Sequence, residues 1–159
     1  MLARLGASSQ YELAFCIANG LGVEKDAGPA IEWNQRAADA GMLSAQHNLG
    51  RCYEFGEGVT KDAQAAVGWY RRAAEAGFPL AQCRLGSCYE NGFGVEADER
   101  EAIEWYSRAA SADGENDPWG ASEARVALAR LGARPPRPHP PPRARDWCAR
   151  CSPVRPLFA

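Results

Sequence analysis

Long apolar runs are what this 159-residue chain most plainly lacks. No segment approaches the roughly 18 consecutive apolar residues of a membrane-spanning helix, so no membrane partner is expected. Residues 1–13 hold a single Arg and no continuous apolar stretch, which does not fit a secretory signal. The expected compartment is cytoplasmic, where thiols stay reduced. Lysine and histidine are scarce: only Lys25, Lys61, His47 and His139 are present. No Ser–His–acid set, H-E-x-x-H or G-x-S-x-G stands in the chain, so catalytic residues, metal and cofactor are all expected to be none. His47 reads as a surface residue rather than a base. Strong net charge is missing too, but the formal −2 conceals a split. Residues 1–132 carry 12 Lys/Arg against 19 Asp/Glu, whereas residues 133–159 carry six Arg and one Asp. An acidic body is a poor match for phosphate backbones, and nucleic acid is not an expected partner.

What the chain has instead is repetition. A shift of 36 residues aligns Asp26, Asp62 and Asp98, and likewise Trp33, Trp69 and Trp105. Gly20, Gly56 and Gly92 fall on the same lattice, as do Gly22, Gly58 and Gly94, each followed by Val. Cys16, Cys52 and Cys88 join them. Agreement at so many positions, rare Trp and Cys among them, is not compositional bias.

The second copy shows the unit. Ala45, Leu49, Cys52 and Tyr53 mark one face of a first helix, roughly residues 43–55. Gly56 suits the left-handed conformation that ends a helix, and Gly58 keeps the turn tight. Val59 is expected between the helices. Asp62 is placed to cap a second helix, roughly residues 63–76, and in the third copy Asp98 with Glu101 comes close to a capping box. Pro79 opens the next first helix, where its missing N–H is tolerated. Gly50 and Gly86 lie inside first helices, where glycine costs about 1 kcal/mol against alanine. Their repetition implies that a neighbouring helix passes too close for a side chain. The repeated Trp residues would supply most of the buried apolar area, each costing roughly 3–5 kcal/mol if cut back to Ala.

These positions resemble the Sel-1-like repeat, a relative of the tetratricopeptide repeat. The matching pattern is Ala45, Leu49-Gly50, Tyr53, Gly56, Gly58-Val59, Asp62, Ala66, Trp69-Tyr70, Ala73-Ala74 and Gly77, and the third copy follows it from Ala81 to Ala110. The resemblance covers about residues 7–112, as repeats 7–42, 43–78 and 79–112. It implies an all-α fold, an α/α right-handed superhelix (solenoid) of three helix-turn-helix repeats. Family members act as adaptors in signalling, in quality control of secretory proteins and in bacteria–host contact.

The first copy departs from the pattern, with Ser9 for Ala, Ala14 for Gly, Ile17 for Tyr and Asn34 for Tyr. It reads as a degenerate terminal repeat, and residues 1–6 read as the end of a preceding helix in a longer array. After Ala110 the phase slips by seven: Ala124, Leu128 and Ala129 echo Ala81, Leu85 and Gly86. A C-terminal capping helix is therefore expected at about 119–131, closing a repeat domain of residues 1–132. Eight of the eleven prolines fall in 133–159, a Pro/Arg-rich segment expected to be disordered. Within it Pro138-x-x-Pro141-x-Arg143 fits, weakly, a polyproline-groove partner of the SH3 type. Cys148 and Cys151 supply half a zinc site at most.

Several patterns have plain structural explanations. The repeat cysteines suit a core face as small apolar groups. Cys83 and Cys88, five apart on one helix, do not suit a disulfide framework. The glycine pairs lack the strand, third glycine and Lys-Ser/Thr of a phosphate loop. Glu101 and Glu104 fit a solvated helix face. More informative are the positions that do not repeat. Off the core face of the first helices stand Tyr11, Glu12 and Phe15; then His47, Asn48 and Arg51; then Cys83, Arg84 and Ser87. They share phases, so Glu12, Asn48 and Arg84 form one set of rungs and Phe15, Arg51 and Ser87 another. First helices usually line the concave side of such stacks, so these residues are the candidates for protein binding, with the arginines able to clamp a carboxylate. The expected function is a scaffold or adaptor holding a partner protein. The alternatives are a structural segment of a longer or self-associating array, with Leu2 and Leu5 at its open end, and a β-lactamase-like activity described for cysteine-rich relatives. The last is disfavoured by the missing S-x-x-K.

Overall fold

The computed structural model of the chain describes residues 6–21, 27–112 and 118–133. These residues form seven helices and no strand: α1 Ala7–Asn19, α2 Ala27–Asp39, α3 Leu43–Phe55, α4 Ala63–Glu75, α5 Pro79–Asn91, α6 Glu99–Ser111 and α7 Pro118–Arg130. Each helix packs chiefly on its chain neighbours, and α7 also touches α5. The result is an all-α solenoid of three helical hairpins with a seventh helix closing the end. The expected tail, including Pro138, His139, Cys148 and Cys151, lies outside the described residues, as do Gly22, Val23 and Asp26.

Local chemistry sets the helix ends. The Asp62 carboxylate accepts from the backbone N–H of Gln64 and Ala65, both at 3.0 Å. Asp98 does the same for Arg100 and Glu101 at 2.9 and 3.3 Å. The full capping box does not form at Asp98, because its own N–H donates to the Tyr89 carbonyl at 3.0 Å. Asp62 N–H likewise reaches Tyr53 O at 2.9 Å, so each loop is tied back to its first helix. Pro79 opens α5. Gly94 needs its glycine twice over. Its φ is +67°, and a Cβ there would collide with the Ala63 carbonyl of the preceding repeat. Gly58 takes a similar φ of +74°.

Small residues bring the hairpins together. Ala37, Ala38, Ala73, Ala74, Ala109 and Ala110 are all buried. A ladder of side chains then stitches each second helix to the next first helix. Gln46 donates to the Ala38 carbonyl and Gln82 to the Ala74 carbonyl, both at 3.0 Å. Arg125 of α7 donates to the Ala110 carbonyl at 3.2 Å, taking the same place with seven residues inserted. Ala124 and Leu128 are fully buried like Ala81 and Leu85, so α7 docks as a first helix. Gly120 lets it do so closely, since a Cβ would sit 2.6 Å from the Leu80 nitrogen.

The large buried side chains are not the ones expected. Trp105 is buried, but Trp33 and Trp69 are only half-buried. Their faces are covered by Arg36, Arg72 and Arg108, each guanidinium 4.6–4.7 Å from the ring centre. The core belongs instead to Tyr70 and Tyr106. The Tyr70 ring lies on Gly50, where a Cβ would come within 2.5 Å of it, and Tyr106 lies on Gly86 at 3.0 Å. The glycines thus make room for a tyrosine ring rather than for a helix backbone. Tyr70 donates its hydroxyl to Glu54 at 2.5 Å and Tyr106 to Glu90 at 2.8 Å. Burial first, and the carboxylate second, push both phenol pKa values well above the ordinary 10.0.

Candidate functional site

The expected rungs do not form one uniform surface. Tyr11 and Phe15 on α1 and His47, Asn48 and Arg51 on α3 line a single open cavity of about 790 Å³. Its walls continue through Ala30, Ile31 and Asn34 of α2 to Phe78 and Leu80 at the start of the third repeat. Phe15 and Arg51 are exposed and lie at its rim, with Arg51 5.9 Å from the Phe55 ring centre. Asn48 is half-buried and donates to the Tyr11 hydroxyl at 3.2 Å, which joins the two repeats across the opening. Glu12 is exposed but does not line this cavity.

Two candidates are not surface residues. His47 is 8 % exposed, its ring 5.7 Å from Tyr70 and 5.8 Å from Phe78. Placing it on the solvent face is corrected by those two rings, which pack against it from α4 and from the residue before α5. Cys83, at the same phase, is 3 % exposed and packs in the cluster with Tyr106 and Leu128, so it too leaves the ladder. The cause is α7, whose docking covers a position that would otherwise face outward. In the third repeat Arg84 and Ser87 are half-buried. Arg84 acts electrostatically on Tyr70 and Cys88, so its charge is directed partly inward. Ser87 accepts from Asn91. The open cavity is therefore a feature of repeats one and two.

Cysteine burial follows the same gradient. Cys88 is buried, and desolvation, then Glu54, push its thiol up to about 12. Cys52 is half-buried on the cavity wall, with a pKa raised by burial and by Glu57. Cys16 is half-buried as well. The core-face expectation thus describes Cys88 well and the other two less so. Neither thiol has the lowered pKa of a nucleophile. No group of three or more metal-ligating side chains occurs among the described residues.

Three features were legible in the sequence and were missed. Arg36, Arg72 and Arg108 lie on the 36-residue lattice, as do Gln46 and Gln82. Tyr70 and Tyr106 stand beside the conspicuous tryptophans, which drew the assignment of the core away from them.

Stacked helical hairpins with tied turns and an open groove between repeats define a tetratricopeptide-like α-solenoid. A family model described as Sel1 repeat matches residues 7–42, 43–78 and 79–114. The chain belongs to the Sel1 repeat family. Among solved structures it is similar to a Sel1 repeat protein from Oxalobacter formigenes, with 42 % identity and a TM-score of 0.68 over 78 % of this chain and 88 % of that one. It is also similar to a protective antigen of uropathogenic Escherichia coli displaying an SLR fold. That match has 33 % identity and a TM-score of 0.63 over 79 % of this chain and 31 % of the antigen. Cysteine rich protein B of Helicobacter pylori shares the fold, at 21 % identity and a TM-score of 0.58 over 69 % of this chain and 85 % of that one. No curated protein matches the sequence. Sel1 repeats commonly mediate protein–protein interaction, and no described helix is long and apolar enough to cross a membrane.

Proposed function

We propose that the chain is a non-catalytic adaptor that binds a segment of a partner protein on the concave, first-helix side of the array, in the cytoplasm. The observation that carries this reading is the cavity between repeats one and two. On a frame where nearly every buried position repeats, the non-repeating Tyr11, Phe15, Asn48 and Arg51 converge on one opening. The frame itself requires nothing particular at those positions, and a rigid frame lowers the ordering cost of binding. The apolar walls and the few polar groups match the usual make-up of a recognition site.

The test is affinity capture by the full chain from the lysate of its native cell, compared with a Glu12→Lys/Asn48→Asp/Arg51→Glu variant. Arg84 is left in place because it packs beside Tyr70. Circular dichroism first establishes equal folding. A partner captured by the parent and lost by the variant supports the groove. Equal capture by both removes the groove from consideration.

A further inference from the structure

In repeats two and three, three positions act as one unit. Gly50 makes room for the Tyr70 ring and Glu54 accepts its hydroxyl; Gly86, Tyr106 and Glu90 do the same one repeat later. In repeat one those positions are Ala14, Asn34 and Ala18. The ring, the room for it and its hydrogen-bond acceptor have all changed together.

The surroundings of Tyr70 can be followed back in the same way. His47 lies against its ring, and Arg84 and Cys88 act on it electrostatically. Thirty-six residues earlier these are Tyr11, Asn48 and Cys52. Tyr11, Asn48 and Cys52 all line the 790 Å³ cavity, together with Ala18 and Asn34 themselves. The cavity thus includes the space that the next repeat fills with its own tyrosine. At its wall Asn34 is only 6 % exposed, and its Oδ1 accepts no hydrogen bond. A buried acceptor of that kind favours an incoming donor.

We propose that this cavity is a socket for a tyrosine side chain from a partner protein, its ring occupying the place of the missing tyrosine and its hydroxyl donating to Asn34 Oδ1. This rests on the protein-binding reading above and names the group that would be bound. The flat space between Ala18, Ala30 and Ile31 suits an aromatic ring, and the orphan acceptor selects a ring that carries a donor. Phenylalanine fills the same space but leaves Asn34 Oδ1 unpaired.

The experiment titrates the full 159-residue chain, labelled with nitrogen-15, with the capped tripeptides Ac-Ala-Tyr-Ala-NH2 and Ac-Ala-Phe-Ala-NH2. Saturable shifts are expected at the Asn34 side-chain amide and at Asn48 and Cys52, with the phenylalanine peptide roughly tenfold weaker. Ala14→Gly/Ala18→Glu/Asn34→Tyr rebuilds the tyrosine unit of the next repeat inside this one, and is expected to abolish binding. Asn34→Ala keeps the space but removes the acceptor, and is expected to erase the preference for tyrosine. The proposal is overturned by no saturable shift at millimolar peptide, by equal binding of both peptides to the parent, or by undiminished binding to the rebuilt variant. Should the rebuilt variant fail to fold, a tyrosine preference surviving in Asn34→Ala overturns it instead. Partner capture that depends on Arg51, with no tyrosine binding, keeps the groove and overturns the socket. Tyrosine binding with capture unaffected keeps the socket and overturns the wider groove.

Discussion

Replacing Gly50 by alanine tests whether the tyrosine unit is the true core of each repeat. Considered as a helix residue alone, Gly50→Ala should stabilise by about 1 kcal/mol, because alanine loses less backbone entropy. The packing opposes this. The new Cβ would lie 2.5 Å from both Cδ1 and Cε1 of Tyr70. That ring has no room to withdraw, since it is fully buried and its hydroxyl is held by Glu54. Overpacking of this kind costs about 1–3 kcal/mol, and straining the Tyr70–Glu54 hydrogen bond adds about 1 kcal/mol. The net expectation is a loss of about 1–3 kcal/mol. In a Tyr70→Asn background the clash vanishes, and the same Gly50→Ala change should become stabilising by up to about 1 kcal/mol, mirroring the Ala14 and Asn34 pair of repeat one. Urea unfolding followed by far-UV circular dichroism measures all four corners of this double-mutant cycle. A stabilising Gly50→Ala in the parent, or the same effect in both backgrounds, would refute the reasoning.

Further outcomes follow from the same packing. Gly94→Ala combines a positive φ with a collision against the Ala63 carbonyl, so it should cost more than about 2 kcal/mol. Gly56→Ala, whose Cβ would meet nothing nearer than 3.5 Å, should cost only the φ strain of about 1–2 kcal/mol; the comparison is read from unfolding midpoints. Trp105→Ala should lose about 3–5 kcal/mol and half-buried Trp33→Ala clearly less, and equal losses in denaturant titration would contradict the core assigned to Tyr70 and Tyr106. Stability should decline from about pH 9 upward. Cys88 keeps its proton in the folded chain up to about 12, while its unfolded thiol releases it near 9.0. Tyr70 and Tyr106 act in the same direction above 10.0. The unfolded chain binds fewer protons in this window, so rising pH favours unfolding, which thermal melts at pH 8 and 10.5 would register. Removing the caps by Asp62→Ala or Asp98→Ala should cost about 1 kcal/mol each, measured as a shift in urea midpoint.

The repeat and its helix boundaries were fully legible because they depend on local chemistry. An aspartate caps the helix that follows it, proline starts a helix and glycine ends one, and these signals recur every 36 residues. The seven-residue slip before α7 was legible for the same reason, since Ala124 and Leu128 keep the spacing of Ala81 and Leu85. Other assignments depended on which way a helix is rotated against its neighbour. Trp69 and Tyr70 are adjacent, and one residue of rotation decides which of them enters the core; Gly50 opposite and Glu54 beside the hydroxyl chose the tyrosine. Position 47 and position 83 share a phase with exposed Tyr11-type candidates, yet Phe78 and α7 cover them from segments distant in the chain. Ala14, Ala18 and Asn34 were visible as letters in a degenerate repeat. Only packing brings the three positions together around one open space, because contact between a first helix and the helix that returns across it is a property of the fold and not of spacing along the chain.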